Sequence, residues 1–257
     1  MIGKNIQRGY VTLVYAFFYV PLFVMFIYAF NNNKYATTWK GFTLKWFCTL
    51  FDNTALLDAA VNSLMVAVCA ATAATILGSL AALSVKRYRF AGRKAIYMSI
   101  FLLTLSPDIV MGISLLIIFI ACKIELGFVT LLIAHIVLCA PFVTITVLAR
   151  MSEFDEHLIE AARDLGASEA KAFRHVLLPI TAPAVVAGWL LSFTLSLDDV
   201  LISAFVTGPS FEVLPVKIFS MVKLGVKPDV NALAALMFVF TLVIVLCAQF
   251  IIHTRRK

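Results

Sequence analysis

The chain has 257 residues, of which 62% are hydrophobic and 14% charged, with a formal net charge of +7 and a mean hydropathy of +1.00. A water-soluble domain carries about a quarter charged residues, so this composition excludes an ordinary soluble globule and places the chain in a lipid bilayer. The basic excess is not a nucleic-acid footprint: Lys and Arg accumulate in the cytoplasmic loops of membrane proteins, and the sequence holds no zinc-finger or RNP pattern.

A spanning helix needs about 20 mainly apolar residues. Six stretches qualify, roughly Tyr10 to Phe30, Leu57 to Val85, Ile96 to Cys122, Phe128 to Ala149, Ile180 to Val206 and Asn231 to Ile252. The first follows Lys4 and Arg8 as a secretory signal would, but it is too long for a signal core and no A-x-A site follows, so it is expected to stay as an anchor. Six crossings put both termini on one face. That face would carry 14 Lys and Arg against 7 on the other, so the termini are expected to be cytoplasmic. The five cysteines are scattered, mostly in apolar runs, and their spacing suggests neither a metal site nor a disulfide framework.

The first external loop, Asn31 to Leu56, holds Tyr35, Trp39, Trp46 and Phe47. Indole rings anchor at membrane interfaces; for Trp46 a second reading is a ring face offered to a cationic cargo. In the second span Ala70, Ala74, Gly78 and Ala82 recur at every fourth position, a stripe that lets helices pack closely. The basic turn KRYRFAGRK after it suits topology and anionic lipid. The third span contains Ser106-Pro107-Asp108, where proline is expected to kink the helix and free a carbonyl. His135 in the fourth span reads as an interhelical hydrogen-bonder.

In the fifth span Ser192, Ser196, Asp199 and Ser203 fall at spacings of four, three and four, on one face of a helix. Asp198 stands beside that stripe. With Asp108 these are three interior acids, and no Lys or Arg lies deep in any span. Each ionised group costs about 2.5–3.5 kcal/mol at the centre of a span, so some must line a wet cavity, for which a polycation is the natural guest. A purely structural role, in which one Asp is protonated or capped by helix ends, stays open for Asp199 and for Asp198 beside that reading.

Between the fourth and fifth spans lies a polar, helix-prone stretch, Glu160 to Pro179, EAARDLGASEAKAFRHVLLP. Asp155 is placed to N-cap a helix whose apolar side carries Leu158, Ile159, Ala162 and Leu165. Gly166 suits the left-handed residue that ends it. Ser168 is placed to cap a second short helix running to about Leu178, with Pro179 and Pro183 opening the next span. The expected product is a compact cytoplasmic knob, with small Ala161 and Ala162 allowing close approach of a partner. An ordinary amphipathic surface pair is the alternative for Glu160-Ala161-Ala162 alone.

The spacing Glu160-Ala161-Ala162, three residues, Gly166, nine residues, Val176-x-Leu178-Pro179 resembles the EAA signature of bacterial ABC-importer permeases, with Val176 for the usual Ile. The blocks SPDIVM, LSLDDV, FVTGPS and KPDVNALA are similar to the permease subunits of spermidine/putrescine ABC importers, and the likeness runs through essentially the whole chain. The resemblance implies an all-α membrane protein, one transmembrane domain over residues 1–257 with six helices, a type I importer fold and coupling helices over about 153–179, in a bacterial inner membrane. The expected substrate path runs through Asp108, Asp198, Asp199, Ser196 and Trp46; the signature implies docking to an ATPase, expected through Glu160, Ala161, Ala162, Gly166, Leu178 and Pro179, with Glu169 a further candidate. The implied partners are a second homologous permease, two ATPase subunits, an external polyamine-binding protein, the polyamine and membrane lipid, with no nucleic acid.

The sequence lacks a G-x-x-x-x-G-K-[ST] loop, so no cofactor is expected in this chain and ATP with Mg would be bound by the partner ATPase. The expectation is a transport subunit rather than an enzyme. A permease for another small cationic or organic solute is the alternative. A secondary transporter or cation channel would also use intramembrane acids, and a membrane receptor or scaffold would use the cytoplasmic knob without moving cargo.

Overall fold

The computed structural model describes residues 2–33, 38–153, 157–223 and 228–254, with side chains from residue 6 onward and, in the last helix, for residues 230–244 and 246. The chain runs through α1 (Ile2–Ala29), α2 (Lys45–Asp52), α3 (Thr54–Arg87), α4 (Arg93–Leu105), α5 (Asp108–Ala121) and α6 (Phe128–Ser152). It continues through α7 (His157–Asp164), α8 (Glu169–Ala172), a π turn (Phe173–Leu177), α9 (Leu178–Asp198), α10 (Leu201–Val206), α11 (Leu214–Lys223) and α12 (Pro228–Thr254). Among the described residues four helices are long and apolar enough to cross a membrane unaided, and the bent pair α4 and α5 makes a fifth span if counted together. The sixth apolar stretch falls in α12, whose Val230–Ile244 portion is apolar but shorter than 18 residues. The described chain divides into two compact units, residues 1–58 with 217–257, and residues 59–216.

In the first unit α1 exposes an almost continuous apolar surface that includes Phe17, Phe18 and Phe23, as a lipid-facing helix does. Its contact with α12 includes Phe26 edge-on to Phe238. The loop after α1 closes on Asn31, whose side chain donates to Thr38 O at 2.8 Å and accepts from Lys40 N at 2.8 Å. Tyr35, in the same loop, lies outside the described residues.

The second unit is built around α6. Its buried residues, from Thr130 and Leu131 through His135, Leu138 and Cys139 to Val147 and Met151, occupy more than one face of the helix, because other helices cover it on several sides. The stripe expected to be structural is so: Ala70, Ala74 and Ala82 are fully buried. A Cβ on Gly78 would stand 2.8 Å from Val143 Cβ and 2.9 Å from Ala140 O. On α9, Gly188 meets the same Val143, at 3.2 Å from its Cγ1. Two glycines on two helices thus let α6 sit close to both, where van der Waals contact is the main attraction available in lipid.

Three expectations need correction. The third span is broken rather than kinked: α4 and α5 meet at 115°, because Pro107 has no N–H for the ladder and holds Ser106 extended, at φ −71° and ψ 133°. The fifth span is also broken, at Asp199, which is extended with φ −65° and ψ 123°. The second short cytoplasmic helix is not separate, since residues Glu169–Asp198 form one apolar rod of 30 residues. The π turn accommodates the proline that was expected to divide it: Pro179 cannot donate to the His175 carbonyl, and just before it Leu178 N donates back to Phe173 O.

Filling the α3/α6 seam should destabilise the fold. Gly78→Val is expected to cost about 1–3 kcal/mol by overpacking, read as a lower unfolding temperature in detergent, whereas Gly9→Ala, with nothing within 4 Å of its new methyl, should leave that temperature unlowered.

Candidate functional site

The two helix breaks lie side by side. A Cβ on Gly112 of α5 would stand 3.3 Å from Ile202 Cα and 2.8 Å from Phe205 Cδ2 on α10. Farther along, the turn after α5 meets the turn after α10, where a Cβ on Gly208 would fall 2.0 Å from Leu126 O. The glycine of the FVTGPS block is therefore required by close backbone approach. Asn62 Nδ2 donates to Glu212 O at 3.1 Å and Leu214 N donates to Ser63 Oγ at 2.7 Å, which fixes that segment to α3. The Gly112–Ile202 and Leu126–Gly208 approaches set α5 and α10 beside each other in the same direction. Asp108 opens α5 just after the first break, and Asp198 closes α9 just before the second. Both residues are exposed, so two of the three acids stand open, one at each break.

The third acid behaves differently. The Asp199 side chain is 6% exposed. Its carboxylate accepts from Ile202 N at 3.3 Å, Ser203 N at 2.7 Å and Ser203 Oγ at 2.8 Å, capping α10 as an Asp N-cap does. Ser196 is 4% exposed and lies 2.6 Å from His135 Nδ1, while His135 Nε2 lies 3.0 Å from Ser203 Oγ and 3.6 Å from Asp199 Oδ2. The stripe of Ser192, Ser196, Asp199 and Ser203 thus faces α6 and the core instead of an open cavity. Ser196 is paired with His135, and Asp199 with the Ile202 and Ser203 N–H groups and the Ser203 hydroxyl. Ser192 is fully buried, and its carbonyl lies 3.4 Å from Cys139 Sγ.

Trp46 belongs to the other unit. Its Nε1 donates to Asn31 O at 2.7 Å, and Lys45 Nζ lies 6.0 Å from the ring centroid. The indole edge is occupied by the loop, and a cation of the same chain already lies near the ring face.

At the other end of the second unit, α7 ends in a Schellman motif. Gly166 has φ +83°, its N–H bonds to Arg163 O at 2.8 Å and Ala167 N bonds to Ala162 O at 3.0 Å, so the glycine is needed for its left-handed backbone. Ser168 then caps α8, its hydroxyl accepting from Lys171 N. The N-cap expected at Asp155 lies outside the described residues. Leu165, next to the glycine, is 90% exposed. Glu160 is exposed with Ala161, and its carboxylate lies 3.0 Å from His157 Nδ1. Leu178 and Pro179 are exposed at the base. Glu169 does not stand free: Arg87, at the end of α3, approaches it at 3.1 Å, and Arg163 of α7 also pairs with it. These groups surround a cleft of about 310 Å³ lined in part by Lys86, Glu160, Arg163 and Glu169. The Arg87–Glu169 and His135–Asp199 pairings join residues far apart in sequence, and no local pattern announces either.

A bundle of apolar helices with acids at two breaks, and a helical projection continuous with one of them, is the architecture of a membrane transport component rather than of a catalyst. The chain belongs to the binding-protein-dependent transport system inner membrane components, whose family matches residues 74–254. Over 257 residues it is 49% identical to the spermidine/putrescine transport system permease protein PotC of Escherichia coli (strain K12), covering 100% of this chain and 97% of that protein. It is 41% identical over 231 residues to the putrescine transport system permease protein PotI of the same organism, covering 87% of this chain and 82% of that one. The fold matches a chain of a bacterial alginate ABC transporter solved in complex with an alginate pentasaccharide-bound periplasmic protein, with a TM-score of 0.73 and 19% identity over 95% of this chain and 94% of that chain.

The neighbouring acids should respond differently to substitution. Asp199→Ala removes a buried cap and is expected to cost about 1–2 kcal/mol, whereas Asp198→Asn should change stability by no more than about 0.5 kcal/mol; thermal unfolding of the two purified variants in detergent checks this.

Proposed function

We propose that this chain is the membrane-spanning permease of an ATP-driven ABC importer that carries polyamines, spermidine or putrescine, from an external binding protein into the cytoplasm. The observation that carries the reading is the pair of open carboxylates, Asp108 and Asp198, one at each of two helix breaks. The full-length identity to the PotC permease supports the same cargo. A polyamine is a string of ammonium groups, and carboxylates in a partly dry path attract it more strongly than they would in water. The attraction has to be moderate for release, which two separated carboxylates supply better than a closed cage. Ser196 and Asp199 keep the path walls in place from behind.

The energy comes from outside the chain in this reading. Two partner ATPase subunits, each using ATP with Mg, would grip α7 through Glu160, Ala161, Ala162 and the exposed Leu165, around the fixed turn at Gly166. Glu169, tied to Arg87 and Arg163, keeps that face in shape, and Leu178 and Pro179 carry it into the membrane. The rod from Glu169 to Asp198 has 30 residues, a length of about 45 Å at the helical rise. Displacement at its cytoplasmic end therefore reaches the Asp198 carboxylate without a joint other than the π turn. A second homologous permease would complete the cavity, and both termini would lie in the cytoplasm.

In proteoliposomes containing the assembled transporter and its binding protein, Asp198→Asn or Asp108→Asn should lower labelled spermidine uptake about tenfold, the worth of one charge-assisted contact, while ATP hydrolysis persists. Unchanged uptake in both variants would overturn the carboxylate path. Separately, Leu165→Glu should abolish copurification of the ATPase with the permease without lowering the permease's own unfolding temperature; retained copurification would remove Leu165 from the docking surface.

A further inference from the structure

The two helix breaks have different causes. At α4/α5 the break is covalent in origin, because Pro107 cannot join the ladder. At α9/α10 the residues are Ser196-Leu197-Asp198-Asp199-Val200-Leu201, with neither proline nor glycine to compel an interruption. A helix opened there leaves backbone groups without partners inside an apolar bundle, where each unsatisfied group is costly. Side chains must hold it open, and the structure shows which.

Hydrogen-bond directions follow from the donors. Ser203 has one hydroxyl proton, and Asp199 Oδ2 at 2.8 Å, an acceptor, takes it. Ser203 Oγ therefore accepts from His135, which fixes the proton on Nε2 at 3.0 Å. Neutral imidazole then has Nδ1 as its acceptor, filled by the Ser196 hydroxyl at 2.6 Å. The result is a one-way chain, Ser196 to His135 to Ser203 to Asp199, ending on a carboxylate that also takes the Ile202 and Ser203 N–H groups. Ser196 lies before the break and Ser203 after it, so a single ring on α6 clasps both ends. Thr130, also on α6, donates to Val206 O at 2.8 Å and secures the far end of α10.

We propose that His135 is a positioning residue: its imidazole holds the α9/α10 break open, which keeps Asp199 capped inside and aims the adjacent Asp198 outward into the polyamine path. This rests on the reading of Asp198 as a path carboxylate. Without the ring, Ser196 can turn to its own helix carbonyl four residues back, as Thr72 and Thr144 do at 2.7 and 2.8 Å, and Ser203 loses the tie to α6. The segment, in which neither proline nor glycine forbids helix, is then free to close toward an uninterrupted helix, which moves Asp198 relative to α5.

The test is uptake per ATP hydrolysed in proteoliposomes with the assembled transporter, its binding protein and labelled spermidine. His135→Leu is expected to lower that ratio about tenfold, as the loss of the Asp198 contact itself would, with ATP hydrolysis retained. His135→Gln, whose amide N–H can reach Ser203 from the Nε2 position, should restore most of it. An unchanged ratio in H135L overturns the brace, as does a parallel fall of uptake and hydrolysis or an H135Q as defective as H135L, since each marks a role in packing alone. If H135L does not assemble, Ser203→Ala carries the test: it deletes the hydroxyl between ring and carboxylate, and a normal ratio in that variant overturns the proposal. Asp198→Asn measured alongside separates the two ideas. Impaired D198N with normal H135L removes the brace and leaves the path standing, whereas normal D198N removes Asp198 from the path and the brace with it.

Discussion

A carboxylate inside an apolar helical bundle must either be saturated by hydrogen-bond donors or reach a polar medium. The second unit meets this constraint in both ways at consecutive residues. Asp199 turns inward, where two backbone N–H groups, the Ser203 hydroxyl and the nearby His135 ring surround it. Asp198 turns outward and is exposed. In a continuous helix consecutive side chains diverge by only about 100°, the angle implied by 3.6 residues per turn. The break supplies the remaining freedom, so that one acid becomes structure and its neighbour becomes available.

The same economy of geometry governs the opposite end of α9. Coupling a surface helix to a membrane rod requires a turn that does not flex and a rod that does not divide. The Schellman closure at Gly166 provides the first, since both of its backbone bonds form and its φ of +83° suits glycine. The π turn provides the second by carrying the helix into Pro179. Arg87 and Arg163 share the Glu169 carboxylate. These are exposed ion pairs that contribute little to stability, and their use is to register the end of α3, α7 and the head of the rod against one another.

What could be read from the sequence was what is encoded locally. Spans follow from runs of apolar residues, the α3 seam from a four-residue spacing of small residues, and the end of α7 from a glycine at a turn position. The serine and aspartate stripe was legible as one face of a helix. Which neighbour it faced was not, because periodicity fixes a direction around an axis without naming what lies there. Acid-rich faces suggested a wet cavity, yet α6 presents His135 to most of that stripe. The break at Asp199 was illegible for a related reason: no residue there forbids helix, and the interruption is stabilised by a ring 64 positions earlier in the chain. Likewise Glu169 looked available for a partner because its own partner Arg87 is 82 residues away.

The two open acids are also electrostatically unequal, and the helix ends explain how. Asp108 begins α5, at an end where unpaired N–H groups concentrate partial positive charge that offsets part of the carboxylate's field. Asp198 ends α9, where the last carbonyls lack intrahelical partners and add partial negative charge to its own. Unwound carbonyls and helix C-termini are the features by which broken membrane helices hold cations. On the proposed path, an ammonium group is therefore drawn more strongly to the Asp198 end than to the Asp108 end. That end is also the tip of the rod whose other end adjoins the proposed docking surface, so in this reading the stronger of the two attractions is the one a partner ATPase would move. A path built this way does not need to weaken its affinity chemically to release cargo; it has only to separate Asp198 from Asp108.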